Sequence, residues 1–250
     1  MAMAAPTGIP TATTRTTTPI TTSRRGMAEP PQSAALLKLA TWLSPAYPVG
    51  AFSYSHGFEW AVSAGDVTSA DALEAWLSAI LLHGAGRTDA ILLAHAWRAA
   101  GDADSAKLTE IAELGAALFP SAERRLEAMD QGAAFMRVSG AVWPADGSLP
   151  EEMPHAVAVG AYAGAHAVPL PATLEFYLHA FASNLVSAAI RLVPLGQTQG
   201  QQVLADLAET IIGVAHDAID ADMDDIGGCA FRADLASMAH ETLRTRLFRS

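Results

Sequence analysis

The sequence predicts an all-α protein that folds as a single compact multi-helix domain. Hydrophobic residues recur at steps of three and four along most of the chain, which is the period of an amphipathic helix. We find no alternating apolar and polar stretch of useful length, as a half-buried strand would require. Charged residues make up only 16% of the 250 residues, which favours a large core or a surface partly covered by partners.

The chain divides into a leader and a helical domain. Residues 1–33 are rich in Thr, Ala and Pro and have no hydrophobic period, so we expect this leader to be disordered. Met27 is a second candidate for the initiating methionine. The helical pattern starts near Leu36, and we assign the helical domain to residues 34–250.

Individual helices are predicted from apolar spacing and from their end signals. The first helix is expected to end before Pro45, because a residue that precedes proline disfavours the helical conformation. Thr68 and Asp71 have the spacing of a capping box. The longest helix is predicted from Pro171 to Val193, since proline is favourable in a first turn. Other predictions are helices over 89–99, 124–139 and 204–218 and a loop over 140–154.

Composition argues against several classes of partner. The net charge is −11, with too few Lys and Arg residues for a nucleic-acid surface and no basic block for a membrane surface. No uncharged apolar run reaches the length of about 18 residues that indicates a transmembrane helix. Cys229 is the one cysteine, so an intramolecular disulfide is excluded and a reducing cytoplasm is favoured.

Catalytic and metal-binding motifs are weak. The eight histidines include no His-Glu-x-x-His pair, so packed or surface roles are favoured for each of them. His240 is the most interesting, because it lies beside the unusual C-terminal residues. Asp220, Asp222 and Asp224 imitate the start of a calcium loop, but Phe231 occupies the position of its last ligand, so an acidic turn is favoured.

Nucleotide and nucleophile chemistry are equally unsupported. The stretch 196–201 contains two glycines but no lysine, so it is not a phosphate-binding loop and a turn between helices is favoured. Ser44, Ser53 and Ser55 lack the strand-to-helix turn of a nucleophile elbow.

An aromatic stretch near the start of the helical domain has no ordinary explanation. Ser44–Val62 contains two prolines and two glycines, which forbid a continuous helix. Tyr47, Phe52 and Tyr54 make it too apolar for a solvated linker. We expect the loop Pro48–Tyr54 to be held against the helical core, near a surface that meets a partner or a second copy of the chain.

The C-terminal residues are unusual as well. Arg244–Ser250 places Leu247 and Phe248 between arginines in an acidic protein, whereas chain ends are commonly polar and frayed. The segment is expected to dock either on the protein's own core or on a partner with an acidic, apolar groove. Arginine and aromatic side chains are enriched at binding hot spots, and the sequence leaves both alternatives open.

Together these motifs resemble a known family. Ser44–Val62, Leu185–Gln201 and Ser237–Ser250 are similar, in this order, to the opening signature, the central helix with its following turn, and the closing signature of the urease accessory protein F family. The resemblance covers about residues 36–250. Ala239 departs from it, because the family usually has a basic residue there, and Gly228–Ala230 departs too, because a proline-containing turn is expected.

The resemblance implies an all-helical, dimeric, non-enzymatic protein of the cytoplasm. Such a protein bridges the scaffold accessory protein D, called H in some bacteria, and the nickel-carrying GTPase accessory protein G, and so helps to insert nickel into the urease apoprotein. The resemblance implies that the chain binds no cofactor stably, because partner proteins handle nickel and GTP.

The expected partner-binding residues lie in the two end motifs, and no catalytic, cofactor-binding or metal-binding residue is expected. They are Tyr47, Pro48, Gly50, Phe52, Ser53, Tyr54, Glu59, Arg244, Arg246, Leu247, Phe248, Arg249 and Ser250.

Two other functions stay open on the sequence. The first is a generic helical adaptor unrelated to urease. The second, less favoured, is a metal-dependent hydrolase with His and Asp ligands in a helical bundle, which would need several ligands to converge.

Overall fold

The computed structural model describes residues 1–2, 31–145 and 148–250. Within these residues the structure contains eleven α-helices and no strand, so the predicted all-α class is confirmed. Nearly all of the predicted leader, with Met27, lies outside the described residues.

The helices follow one another with short connections. They are α1 (Pro31–Trp42), α2 (Phe58–Ser63), α3 (Ala70–His83), α4 (Ala85–Gly101), α5 (Ser105–Ala117), α6 (Ala122–Val142), α7 (His155–Ala165), α8 (Leu170–Leu192), α9 (Gln197–Asp206), α10 (Ala208–Asp220) and α11 (Phe231–His240). Short 3₁₀ turns lie at Ala51–Ser53 and Met223–Asp225.

The core is centred on the contact between α4 and α7. A side chain built at Gly160 would place its Cβ 2.4 Å from the Leu93 carbonyl oxygen, and one at Gly164 would lie 2.1 Å from that of Trp97. Only glycine allows the two backbones to approach so closely. Helix α7 is buried along its length, and α8 packs against both α4 and α7.

One stretch, Ala70–Gly101, is long and apolar enough to qualify as a membrane span by length and composition alone. In the fold it is broken at Gly84 into α3 and α4, and 56% of its most apolar window is buried inside the protein. Leu73, Leu77 and Leu81 of this stretch face the protein core, whereas Leu82 is 42% exposed.

Several predicted helix boundaries are wrong. The cap of α3 is Ser69 rather than Thr68, since the Ser69 Oγ accepts a hydrogen bond of 3.2 Å from the Ala72 amide. The single helix predicted over 204–218 is two helices, because the chain turns at the buried Leu207. Helix α6 continues to Val142, so the predicted loop over 140–154 begins later.

The close packing of α4 on α7 generates the first prediction. Gly160→Ala should lower the free energy of unfolding by about 1–3 kcal/mol, because the added methyl group forces the helices apart. Gly213→Ala on α10 is the matched control, since its Cβ would meet no atom within 4 Å. The control should raise stability by about 0.5–1 kcal/mol. Urea denaturation measures the free energy of unfolding of both variants. Equal changes in the two variants would contradict the close contact of α4 with α7 at Gly160.

Candidate functional site

The aromatic loop is held against the helices, as predicted. Tyr47 and Tyr54 are only 8% and 2% exposed. The Tyr47 hydroxyl shares a hydrogen bond of 2.7 Å with the Ser139 hydroxyl, and the Tyr54 hydroxyl donates to Asp130 at 2.9 Å. These side chains fix the loop to α6.

The tip of the same loop faces outward. Pro48 is exposed and Phe52 is 70% exposed. Gly50 has a φ of 77°, a left-handed conformation that glycine adopts at little cost, and it leads into the 3₁₀ turn at Ala51–Ser53. The loop therefore presents a rigid apolar tip above buried tyrosines.

Residues 244–250, here called the basic segment, lie directly along this loop. The Arg249 amide donates to the Ser53 carbonyl at 2.8 Å, and the Ser55 amide donates to the Ser250 carbonyl at 2.9 Å. The two stretches that are most unusual in the sequence are therefore neighbours in the fold.

Glu59 on α2 anchors the basic segment. Its carboxylate accepts hydrogen bonds from the backbone amides of Leu247 at 2.7 Å and Phe248 at 2.9 Å. Glu59 is only 7% exposed, so these charge-assisted bonds form away from bulk water, where they are strong.

Gly57 places Glu59 in this position. It has a φ of 74°, and a Cβ there would lie 2.5 Å from the Cα of Ser237 on α11. Any other residue would combine a strained backbone with a steric clash. The start of α2 therefore rests on the α11 backbone.

His240 lies between two carboxylates that contact the basic segment. It is completely buried, with Nδ1 at 2.6 Å from a Glu123 oxygen and Nε2 at 3.5 Å from a Glu59 oxygen. His240 therefore links α11 to both α6 and α2. Glu123 also forms an ion pair with Arg246.

Three carboxylates on α6 form an acidic face that meets the basic segment. Glu123, Glu127 and Asp130 are separated by steps of four and three, which places them on one side of the helix. The Ser250 hydroxyl donates to Glu127 at 2.6 Å, and Arg249 lies 3.4 Å from Asp130. The segment is thus bound through opposite charges as well as through its backbone.

Burial shifts the pKa values around Glu127. Burial disfavours its ionised form, but the Arg124 guanidinium and His56 outweigh this and hold the pKa of Glu127 well below its usual range. Burial, assisted by Arg124, lowers the pKa of His56 to about 4. Burial and the Asp130 carboxylate raise the pKa of Tyr54 to about 12. At neutral pH the site therefore contains a carboxylate, a neutral imidazole and a neutral phenol.

From Leu247 to Ser250 the side chains of the basic segment alternate between outside and inside. Phe248 is 3% exposed and Ser250 is 1% exposed, whereas Leu247 is 75% exposed. The Arg191 guanidinium lies 4.1 Å from the centre of the Phe248 ring, a cation–π contact. It also donates a hydrogen bond of 2.7 Å to the Phe52 carbonyl. Of the two alternatives left open by the sequence, docking on the protein's own core is the one present in the structure.

Four large apolar side chains near the segment remain uncovered. Phe231, Leu235 and Met238 on α11 are 65%, 45% and 45% exposed, and Leu247 on the basic segment is 75% exposed. Arg232, Arg244 and Arg246 are exposed residues of the same two segments. We call these seven residues the apolar-basic surface.

The expected partner-binding residues fall into two groups. Tyr47, Tyr54, Glu59, Phe248 and Ser250 are buried within the chain. The others are exposed or half-buried, namely Pro48, Gly50, Phe52, Ser53, Arg244, Arg246, Leu247 and Arg249. With the basic segment docked, only the exposed and half-buried residues are accessible to a partner. The buried residues hold the loop and the segment in place.

Sequence reasoning missed the residues that receive the basic segment. Glu123, Glu127 and Asp130 contact it from α6, Arg191 contacts it from α8, and Ser55 contacts it from the loop. The helical spacing of the three acidic residues, opposite a basic end motif, was the available signal.

Across residues 1–2, 31–145 and 148–250 no group of three or more His, Cys, Asp or Glu side chains is arranged to hold a metal ion. Cys229 is exposed, with its thiol facing Asp234 at 3.5 Å.

The fold and this site define an all-helical protein whose C-terminal residues complete a surface near α11. Comparison with known proteins assigns the class. The sequence model of the UreF family matches residues 67–208. The urease accessory protein UreF of Rhodopseudomonas palustris strain TIE-1 is 55% identical over 225 residues, covering 88% of this chain and 94% of the relative.

Relatives in other strains agree. UreF of Rhodopseudomonas palustris strain BisB5 is 53% identical over 88% of this chain and 93% of its own length. UreF of Bradyrhizobium sp. strain BTAi1 is 51% identical over 86% of this chain and 92% of its own length. The chain belongs to the UreF family of urease accessory proteins.

The alternation of the basic segment generates the second prediction. Phe248→Ala should lower the free energy of unfolding by about 3 kcal/mol or more, because it empties a buried aromatic site and removes the cation–π contact. Leu247→Ala, one residue away and exposed, should change it by less than about 0.5 kcal/mol. Urea denaturation with fluorescence detection compares them. A larger loss for Leu247→Ala would mean that the segment docks in the opposite orientation.

Proposed function

We propose that this chain is an adaptor in urease maturation. It bridges the scaffold accessory protein D, or H, and the nickel-carrying GTPase accessory protein G, and it modulates the nucleotide cycle of that GTPase. The assembly inserts nickel into the urease apoprotein. Membership of the UreF family supports a role in urease maturation. The exposed surfaces of the chain support the bridging of two partner proteins.

The apolar-basic surface is the observation that carries the proposal. Leu235, Met238 and Leu247 expose apolar side chains on neighbouring segments, and large exposed apolar patches rimmed by polar groups mark interaction sites. Arginine is among the residues enriched at interfaces.

Two arginines of this surface are paired within the chain, Arg232 with Asp66 and Arg246 with Glu123. The surface therefore offers a partner mainly its apolar side chains, with Arg244 beside them. We assign this surface to accessory protein D.

The docked segment explains why this surface has a defined shape. Phe248 and the Glu59 carboxylate hold the backbone from inside, so Leu247 points outward at a fixed place. A preorganised surface loses less conformational entropy on binding than a free peptide. Leu247 is therefore the partner anchor of the docked form, and Phe248 acts by positioning it.

Bridging requires a second contact, which we assign to the loop tip. Pro48 and Phe52 are exposed there, while Tyr47 and Tyr54 keep the loop rigid. This tip is available to the GTPase or to a second copy of the chain in a homodimer. Nickel and GTP are then handled by the partner proteins in the cytoplasm, and the adaptor binds neither stably and contacts no nucleic acid or membrane.

The third prediction tests the apolar-basic surface. Leu235→Asp combined with Leu247→Asp should abolish co-purification with accessory protein D, because two charges are placed in an apolar contact. The stability of the free protein should change by less than about 0.5 kcal/mol, since both side chains are exposed. Deletion of residues 244–250 should also abolish the complex.

Ile212→Asp on α10 is the matched control, because Ile212 is an exposed apolar residue at 49% on a helix that packs against α3, α4 and α8 rather than α11. It should leave the complex intact. If the double variant bound protein D as the unaltered chain does, the assignment of this surface would be wrong.

A further inference from the structure

His56 lies at the turn between the aromatic loop and α2, and its backbone conformation is unusual. Its φ is 64°, a left-handed value that residues other than glycine adopt at a cost in strain. Gly57, which follows it, is also left-handed and rests on Ser237 of α11. A strained residue persists where its surroundings hold it, and such residues are concentrated at functional sites. The contacts of His56 therefore point to the role that the strain supports.

In the described part of the chain the His56 ring makes one hydrogen bond, to Glu127 on α6. Its Nδ1 lies 3.2 Å from the Glu127 Oε1 atom, and its edge packs against Phe181 with the ring centres 4.8 Å apart. Burial, assisted by Arg124, lowers the pKa of His56 to about 4, so the ring is neutral at neutral pH. Because an ionised carboxylate only accepts hydrogen bonds, the single ring proton lies on Nδ1.

The same carboxylate holds Ser250 of the basic segment. The Glu127 Oε2 atom accepts a hydrogen bond of 2.6 Å from the Ser250 hydroxyl and pairs with Arg124. On the Oε1 side, His56 supplies the shorter contact and Gln131 a longer one of 3.4 Å. His56 and Ser250 thus bind opposite oxygens of one carboxylate. The proton of His56 therefore fixes the rotation that directs Oε2 at Ser250.

The backbone on either side of His56 supplies the other anchors of the segment. Ser55, which precedes it, donates its amide to the Ser250 carbonyl at 2.9 Å and its hydroxyl to the same oxygen. Glu59, three residues after it, binds the amides of residues 247 and 248. The Glu59 amide also donates to the Ser55 hydroxyl oxygen at 3.2 Å. The left-handed turn at His56 thus sets the relative position of the two anchors.

We propose that His56 is a positioning residue for the basic segment. Its ring orients the carboxylate that binds Ser250, and its left-handed turn fixes the spacing between the two backbone anchors. Both effects keep Leu247 directed outward. The consequence for accessory protein D rests on the proposed function, because Leu247 is the anchor assigned to that partner.

The fourth prediction compares amide exchange in variants of the full chain. His56→Leu fills the space of the ring but removes the donor. It should speed the exchange of the Ser55 and Phe248 amides about tenfold, the loss expected for a hydrogen bond to a charged group. His56→Gly, which relieves the backbone strain and also lacks the donor, should do the same and replaces His56→Leu if that variant does not fold.

His56→Asn is the conservative variant and should keep the slow exchange. The asparagine amide nitrogen stands as many bonds from Cα as Nδ1 does and can donate to Glu127, and asparagine tolerates the left-handed conformation. The nitrogen chemical shifts of the His56 ring in the unaltered chain should show the proton on Nδ1 at neutral pH. A proton on Nε2 instead would overturn the proposal.

Gly160→Ala is the control, because it lowers stability on α7, which packs mainly against α4 and α6. It should leave the Ser55 and Phe248 amides unchanged. If His56 only filled space in the core, exchange of these amides would follow overall stability in every variant, and His56→Asn would not restore it.

Co-purification with accessory protein D separates the positioning role from the proposed function. Unchanged exchange in both His56→Leu and His56→Gly would overturn the positioning role, whatever happens to the complex. Faster exchange with weaker co-purification supports both claims. Faster exchange with undiminished co-purification supports the positioning role and contradicts the assignment of this surface to protein D.

Discussion

The carboxylate of Glu59 is the interaction on which the candidate site depends. It binds the amides of Leu247 and Phe248 and faces the buried His240. A buried carboxylate that lost these donors would have to be desolvated without compensation, which is costly. Glu59 therefore couples three elements, α2, α11 and the basic segment, and the geometry of each depends on the others.

This coupling gives a short segment a fixed conformation. Ordering a residue costs about 1–2 kcal/mol of backbone entropy, so residues 244–250 would not stay docked through one contact. The burial of Phe248, the carboxylates of α6 and the two amide bonds to Glu59 act together against that cost. Because Phe248 is buried, the backbone of the segment is fixed, and the side chain of the neighbouring Leu247 is directed outward.

Much of the fold was predictable from apolar spacing. The long helix α8 was predicted to within a residue at each end, because proline and periodicity agree there. The division of residues 204–218 into α9 and α10 at Leu207 was not predictable, since the apolar period continues through Leu207. The close contact of Gly160 with α4 was also invisible, because a glycine shows which partner backbone it admits only in the folded structure.

The candidate site was half predictable. The sequence identified the aromatic loop and the basic segment as special, but it left open whether the segment docks in cis. The deciding residues, Glu123, Glu127 and Asp130, look like solvated charges on α6 until their partners are placed. Their helical spacing is visible in the sequence, but the segment that they bind is set by tertiary packing and cannot be read from local sequence.

Hydrogen exchange of individual amides tests the central claim most directly. If Glu59 holds the basic segment, the amides of Leu247, Phe248 and Arg249 should be protected in the free protein, and Glu59→Gln should accelerate their exchange by about tenfold or more. The amide of Ser55 should respond with them, since it is bonded to Ser250. If the amides of Leu247, Phe248 and Arg249 exchanged at the unprotected rate in the unaltered protein, the account would be contradicted.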